Sequence, residues 1–114
     1  MLKIIAKLGL IALIMHSSTS EAALTVTNIA PGSSADHSLF VKSDGSLWTM
    51  GLNSYGQLGN GLAFSSASQP EQIVASGVTA ISAGGYHSLF LKSDGSLWAM
   101  GFNGHGQLGD GTYN

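Results

Sequence analysis

HSLFVKSDGSLWTMGLNSYGQLGNG, residues 37–61, decides the fold, because it returns at residues 87–111 as HSLFLKSDGSLWAMGFNGHGQLGDG. The offset is 50 residues throughout and no gap is needed. Of 25 aligned positions 19 are identical; those that differ are 41/91, 49/99, 52/102, 54/104, 55/105 and 60/110. Self-similarity at this period marks a solenoid, a propeller or an array built from one supersecondary unit.

Within the unit, His37 to Lys42 and Leu47 to Met50 are short apolar runs separated by Ser43-Asp44-Gly45-Ser46. Asp-Gly between apolar runs is a strong hairpin signal, since type I′ turns need positive φ. Gly45 and Gly95 are expected at positive φ, with Asp44 and Asp94 beside them in turns of two residues or slightly longer. Alternation puts Trp48 and Met50 on one face and Leu47 and Thr49 on the other. The glycine-rich segment Gly51 to Gln69 follows. It is long for a loop in a compact domain, but most of it recurs, so an ordered wrap is expected, packed by Leu58 and Phe64. Pro70 then precedes Glu71 to Val74, a short run suited to an outer edge strand.

Upstream, Leu24 to Gly32 alternates until Pro31 stops it, and Val78 to Gly84 is its counterpart. The first unit carries two extra residues within Ser33 to Asp36. Each period thus holds four short strands: an inner one, a hairpin pair and an outer one. Four short antiparallel strands per unit make a propeller blade.

The chain has 114 residues, room for one small domain. Only 9% are charged, against roughly 25% in ordinary domains, while the 16 glycines are about twice the usual share. Disorder calls for the opposite balance. The four basic residues are all lysine, so the basic surface that nucleic acid requires is missing. With no cysteine there is no disulfide and no thiolate metal site. Residues 1–22 read as a secretory signal: Lys3 and Lys7, an apolar run Leu8 to Met15, then a polar segment ending in Ser20 and Ala22. Cleavage is expected after Ala22, giving a secreted or periplasmic product. Even counted from Ile4 the apolar run reaches only 12 residues, short of the roughly 20 that span a bilayer.

The order I-x-A-G, H-S-L, D-G-x-L-W, G-x-N-x-x-G-Q-L-G-x-G and P-x-x-I/V, at a spacing near 50, resembles the repeat of the regulator of chromosome condensation family. The resemblance runs from about Val26 to the end and implies seven-bladed β-propeller relatives. The expected fold class is therefore all-β: a partial β-propeller of about two four-stranded antiparallel blades, preceded by a helical signal segment. The spans are a signal peptide over 1–22, a first repeat over 23–78 and a second over 79–114, stopping before its last strand. For function, the resemblance implies either a protein-binding platform on the propeller face, as in exported bacterial relatives, or guanine-nucleotide exchange on a small GTPase, as in the nuclear namesake. An exported chain favours the first. Two units without polar caps are also expected to form an incomplete folding unit, a fragment or an oligomer, since such repeats need about three.

Duplication demotes the chemistry-bearing residues to scaffold. His37-Ser38 and His87-Ser88 point to opposite faces of a strand and cannot share a proton in place. Asp44 and Asp94 read as turn residues; Asn53, Asn103, Gln57 and Gln107 read as amides satisfying loops. Gly45, Gly51, Gly56 and Gly59, with Gly95, Gly101, Gly106 and Gly109, complete the shared frame. Trp48 and Trp98 are expected to pack between blades. Gly104 to Gly109 matches G-x-G-x-x-G, but neither the helix nor the distant acid of a dinucleotide site follows. No catalytic residue, cofactor or metal is expected, and the partner is another protein, not nucleic acid. Partner-binding candidates are Tyr55 and His105, where the two loops differ most in chemistry.

Overall fold

The computed structural model describes residues 23–32 and 34–114; the expected signal segment lies outside the described residues. Seven strands run β1 (Val26–Pro31), β2 (His37–Lys42), β3 (Leu47–Gly51), β4 (Ala67–Val74), β5 (Val78–Ala83), β6 (His87–Lys92) and β7 (Leu97–Gly101). They form two sheets, ordered β1-β2-β3-β4 and β5-β6-β7, with every neighbouring pair antiparallel. These are two blades of a β-propeller, the second with three strands among the described residues.

The hairpins turn on positive-φ glycines as expected, and the loops take the longer of the two expected lengths. The Gly45 amide donates to the Lys42 carbonyl (2.8 Å) and the Lys42 amide to the Ser46 carbonyl (3.0 Å). Gly45 and Gly95 have φ of 79° and 87°, whereas neither Asp44 nor Asp94 has positive φ. Each loop is therefore a type I turn closed by a left-handed glycine bulge, one residue longer than a type I′ turn. The aspartate explains the length: the Asp44 carboxylate accepts both the Ser46 amide (2.9 Å) and its hydroxyl (2.5 Å), which holds a longer loop.

The outer strand is also longer than expected. β4 starts at Ala67 and takes in Pro70. Its ladder pairs Thr49 with Glu71 and Gly51 with Ala67, so the register shifts between them and Pro70 sits in the irregular stretch. A residue without an N–H is tolerated there. Phe64 does not pack the wrap: it is 86% exposed, with φ of 65°. Leu58 is fully buried and does.

Alternation sends Leu39, Val41 and Leu47 to the face that meets the second blade. There they form one core with Ala30, Val78 and Phe90, flanked by Met100 and Ile73. Burying each such side chain contributes about 1.5–3 kcal/mol. Met100 fits because position 59 is glycine; a Cβ there would stand 2.2 Å from its sulfur.

Candidate functional site

The repeated histidine lies in the seam between blades. His37 and Ser88 are buried, and His37 Nε2 lies 2.8 Å from Ser88 Oγ. Ser88 Oγ in turn donates to the Gln57 carbonyl (2.9 Å). The serine proton is thus spent on that carbonyl, so Nε2 carries the hydrogen and donates to the serine. Such an imidazole is no base toward Ser88, and the pair is closed to solvent. Burial pushes the His37 pKa below its ordinary value. His37 Nδ1 and Gln57 Nε2 are buried without a hydrogen-bond partner among the described residues. The equivalent His87 is half-buried, on the face of β6 away from the seam.

The other shared residues hold the loops in shape. Asn53 Nδ2 donates to the carbonyls of Leu62 and Ser65 and to Asn60 Oδ1, and its Oδ1 accepts the Leu58 amide (3.0 Å). Gln57 Oε1 accepts the Tyr55 amide (2.9 Å). Asn103 and Gln107 repeat the pattern on the Leu108 and His105 amides. Amide hydrogen bonds tighten the same turns at Gly56, Gly59, Gly106 and Gly109. Gly51 and Gly101 end β3 and β7 opposite His37 and His87.

The tryptophans pack within their own sheets. Trp48 stacks on its cross-strand neighbour Phe40 (6.3 Å, 7°) and Trp98 on Phe90 (6.0 Å, 6°). Lys42 and Lys92 lie over the indoles at 3.9 and 4.4 Å, a cation–π arrangement. Each indole N–H donates to a turn serine bound to the turn aspartate. The Ser46 hydroxyl, more than any charge, holds the Asp44 carboxyl below its usual range, and Ser96 does the same for Asp94.

The divergent positions meet on one rim. The loop after β3 and the loop after β7 stand beside the short connection before β6, and there the rings gather. Tyr55 contacts Phe102 edge-on (4.9 Å, 66°) and Tyr86 likewise (5.2 Å, 64°), and Phe102 contacts His105 (5.8 Å, 76°). Edge-to-face geometry sets the positive ring edge on the negative face. Tyr55 and Tyr86 are each 47% exposed. Leu62, Phe64 and Tyr113 are exposed in loops at the same end. The structure brings Tyr55 and His105 into one cluster through Phe102 and adds Tyr86. The added residues were within reach of the repeat: 52/102 is a differing position, and Asp36 against Tyr86 lies one residue before the matched stretch.

Gly104 shows that the differences are coupled. A Cβ there would stand 2.2 Å from Phe102 Cζ. The first unit, with Leu52 in place of Phe102, carries Ser54 at this position. Glycine is what lets the larger ring fold back toward Tyr55.

Two models of the regulator of chromosome condensation (RCC1) repeat match the chain, over residues 44–91 and 78–107. The chain belongs to this family. Among solved structures it is similar to human WBSCR16, with 31% identity over 81% of this chain and 24% of that one, at a TM-score of 0.66. Yeast RCC1 (Prp20), crystallised bound to Kap60, is 26% identical over 80% of this chain and 20% of that one, also at 0.66. Prp20p from Saccharomyces cerevisiae, described with its binding properties to Gsp1p and histones, is 30% identical over 67% and 18%, at 0.59. The chain thus spans about a quarter or less of these proteins. No curated protein matches it by sequence.

Proposed function

We propose that the chain is a non-catalytic protein-binding module of an exported protein, working through the rim formed by Tyr55, Tyr86, Phe102 and His105. The observation that carries this reading is the exposed aromatic cluster, assembled from positions where two otherwise matching units differ. Aromatic side chains with a polar tip give large contact area at small entropic cost and dominate interface energetics. The binding of yeast RCC1 (Prp20) to Kap60 is consistent with a protein partner. Export rests on the composition of residues 1–22.

The test is quantitative. With a partner in hand, Tyr55→Ala and Tyr86→Ala should each weaken binding about tenfold or more while the melting curve stays in place. Unchanged affinity in the double variant would remove the rim from the function. For export, N-terminal sequencing of the product should begin at Ala23, and an intact Met1 in a cytosolic fraction would overturn that part. Accelerated nucleotide release from a small GTPase would replace the binding-only reading with exchange.

A further inference from the structure

The chain holds two Asn-Gly dipeptides, Asn60-Gly61 and Asn103-Gly104. Glycine has no side chain to hinder its amide nitrogen, which can attack the carboxamide carbon of the asparagine before it. In sequence the two sites are equivalent. The fold sets them apart.

Asn103 is buried, and its Nδ2 donates to Asp110 Oδ1, the Thr112 carbonyl and Thr112 Oγ1. Its Oδ1 accepts the Leu108 amide, five residues on, a bond that does not curl the side chain back on Gly104. Asn60 is only half-buried, and its Oδ1 accepts the Leu62 amide (2.9 Å), two residues on. This turn curls the side chain along its own backbone, with the Gly61 nitrogen inside the ring that the bond closes. Asn60 Oδ1 also accepts from Asn53 Nδ2 (3.1 Å). Two donors on one carbonyl oxygen polarise its carbon and are in place for the oxyanion that forms on attack. Gly61 is exposed, and nothing stands within 4 Å of the place a Cβ would take.

We propose that Asn60 is a spontaneous deamidation site, where water turns the carboxamide into a carboxylate and so unclasps the loop from β4. A bond forms from the Gly61 nitrogen to Asn60 Cγ. The bond from Cγ to Nδ2 breaks, and ammonia leaves with the proton that Gly61 gives up to solvent. Water then opens the cyclic imide at either carbonyl, giving aspartate or isoaspartate.

The second unit shows what aspartate does at this position. Asp110 Oδ1 accepts Asn103 Nδ2 (3.2 Å) and the Thr112 amide (2.9 Å), as Asn60 Oδ1 does with Asn53 and Leu62, so the loop keeps its form. The other end of the side chain differs. Asn60 Nδ2 donates to Glu71 Oε2 (2.8 Å), and an oxygen in its place sets two like charges together. Glu71 lies on β4 opposite Thr49, so the repulsion bears on the outer strand. The site does not depend on the aromatic rim.

The test is to age the full chain, folded and in denaturant, at mildly alkaline pH and to follow both asparagines by peptide mass spectrometry. In the folded chain Asn60 should convert at least about tenfold faster than Asn103, because Asn103 must first open locally. In denaturant the two should convert at comparable rates. Equal rates in the folded chain, or an Asn60 that converts only in denaturant, would overturn the proposal. Asn60→Asp supplies the product directly, and it should speed amide hydrogen exchange at Gln72–Val74 about threefold or more. Adding Glu71→Gln should restore the protection. Unchanged exchange in Asn60→Asp, or no recovery in the double variant, would reject the unclasping of β4.

Discussion

Leu47 and Leu97 occupy the same position in two nearly identical units, yet the first is fully buried and the second is 68% exposed. Val41 and Leu91 repeat the contrast, at 4% and 36%. Local sequence is the same, and so is the strand; what changes is whether another blade lies on that face. For the first blade, Phe90 and Met100 of the second supply it. The second blade presents the matching face, Leu89, Leu91 and Leu97, beside Ala80 and Ile81 as a shallow apolar surface. A side chain's contribution to stability here is thus a property of the stack, as expected for repeats stabilised by nearest-neighbour interfaces.

The sharpest way to break the comparison is to cut the same residue in both units. Leu47→Ala should cost about 2–5 kcal/mol in urea unfolding, the range for a closed core site. Leu97→Ala should stay within about 0.5 kcal/mol, as at an exposed position. Equal costs would mean that the open face is covered in solution.

The turns give a smaller contrast. Gly95→Val puts a β-branched residue at φ of 87° in open space and should cost about 1–2 kcal/mol. Gly45→Val adds a collision, because a Cβ at Gly45 stands 2.8 Å from the Gly77 amide nitrogen in the link between blades. It should therefore cost more than its twin, and a reversed order would refute the contact.

The seam histidine predicts a pH dependence. Its folded pKa lies below the ordinary value near 6.5, so the unfolded chain takes up the proton first as pH falls. The stabilisation from neutral His37 is complete above about pH 6.5 and is lost as pH drops through the lower folded pKa. His37→Gln can still donate to Ser88 but does not titrate. Denaturant melts between pH 7 and pH 5 should fall for wild type with a slope that the variant lacks. The smallest effect is expected at the rim: Gly104→Ala should cost about 0.5 kcal/mol or less, yet shift the Tyr55 ring resonances as Phe102 moves.

How much of this was legible beforehand depends on range. Strand positions, the hairpins and the role of Leu58 followed from alternation and the repeat, because they depend on residues within a few positions of one another. The turn length stays open in the sequence between two residues and slightly more, and the Asp44 carboxylate binding Ser46 selects the longer form. The path of β4 through Pro70, which an irregular register accommodates, did not follow, nor did the exposure of Phe64. Tyr55 and His105 stood out as divergent, but their connection through Phe102 and the addition of Tyr86 required the loops to be set side by side.

By itself, the sequence determined the unit: four short strands, a polar loop clipped by Asn53 and Gln57, and a period of 50 residues. Backbone propensity and side-chain alternation are local, and 19 shared positions in 25 impose them twice. Only the tertiary structure decided what identical residues do. It buried His37 against Ser88 while leaving His87 on the outer face of its sheet. Burial of His37 comes from a neighbour 51 residues away in sequence, and identical stretches carry no mark of which copy meets one.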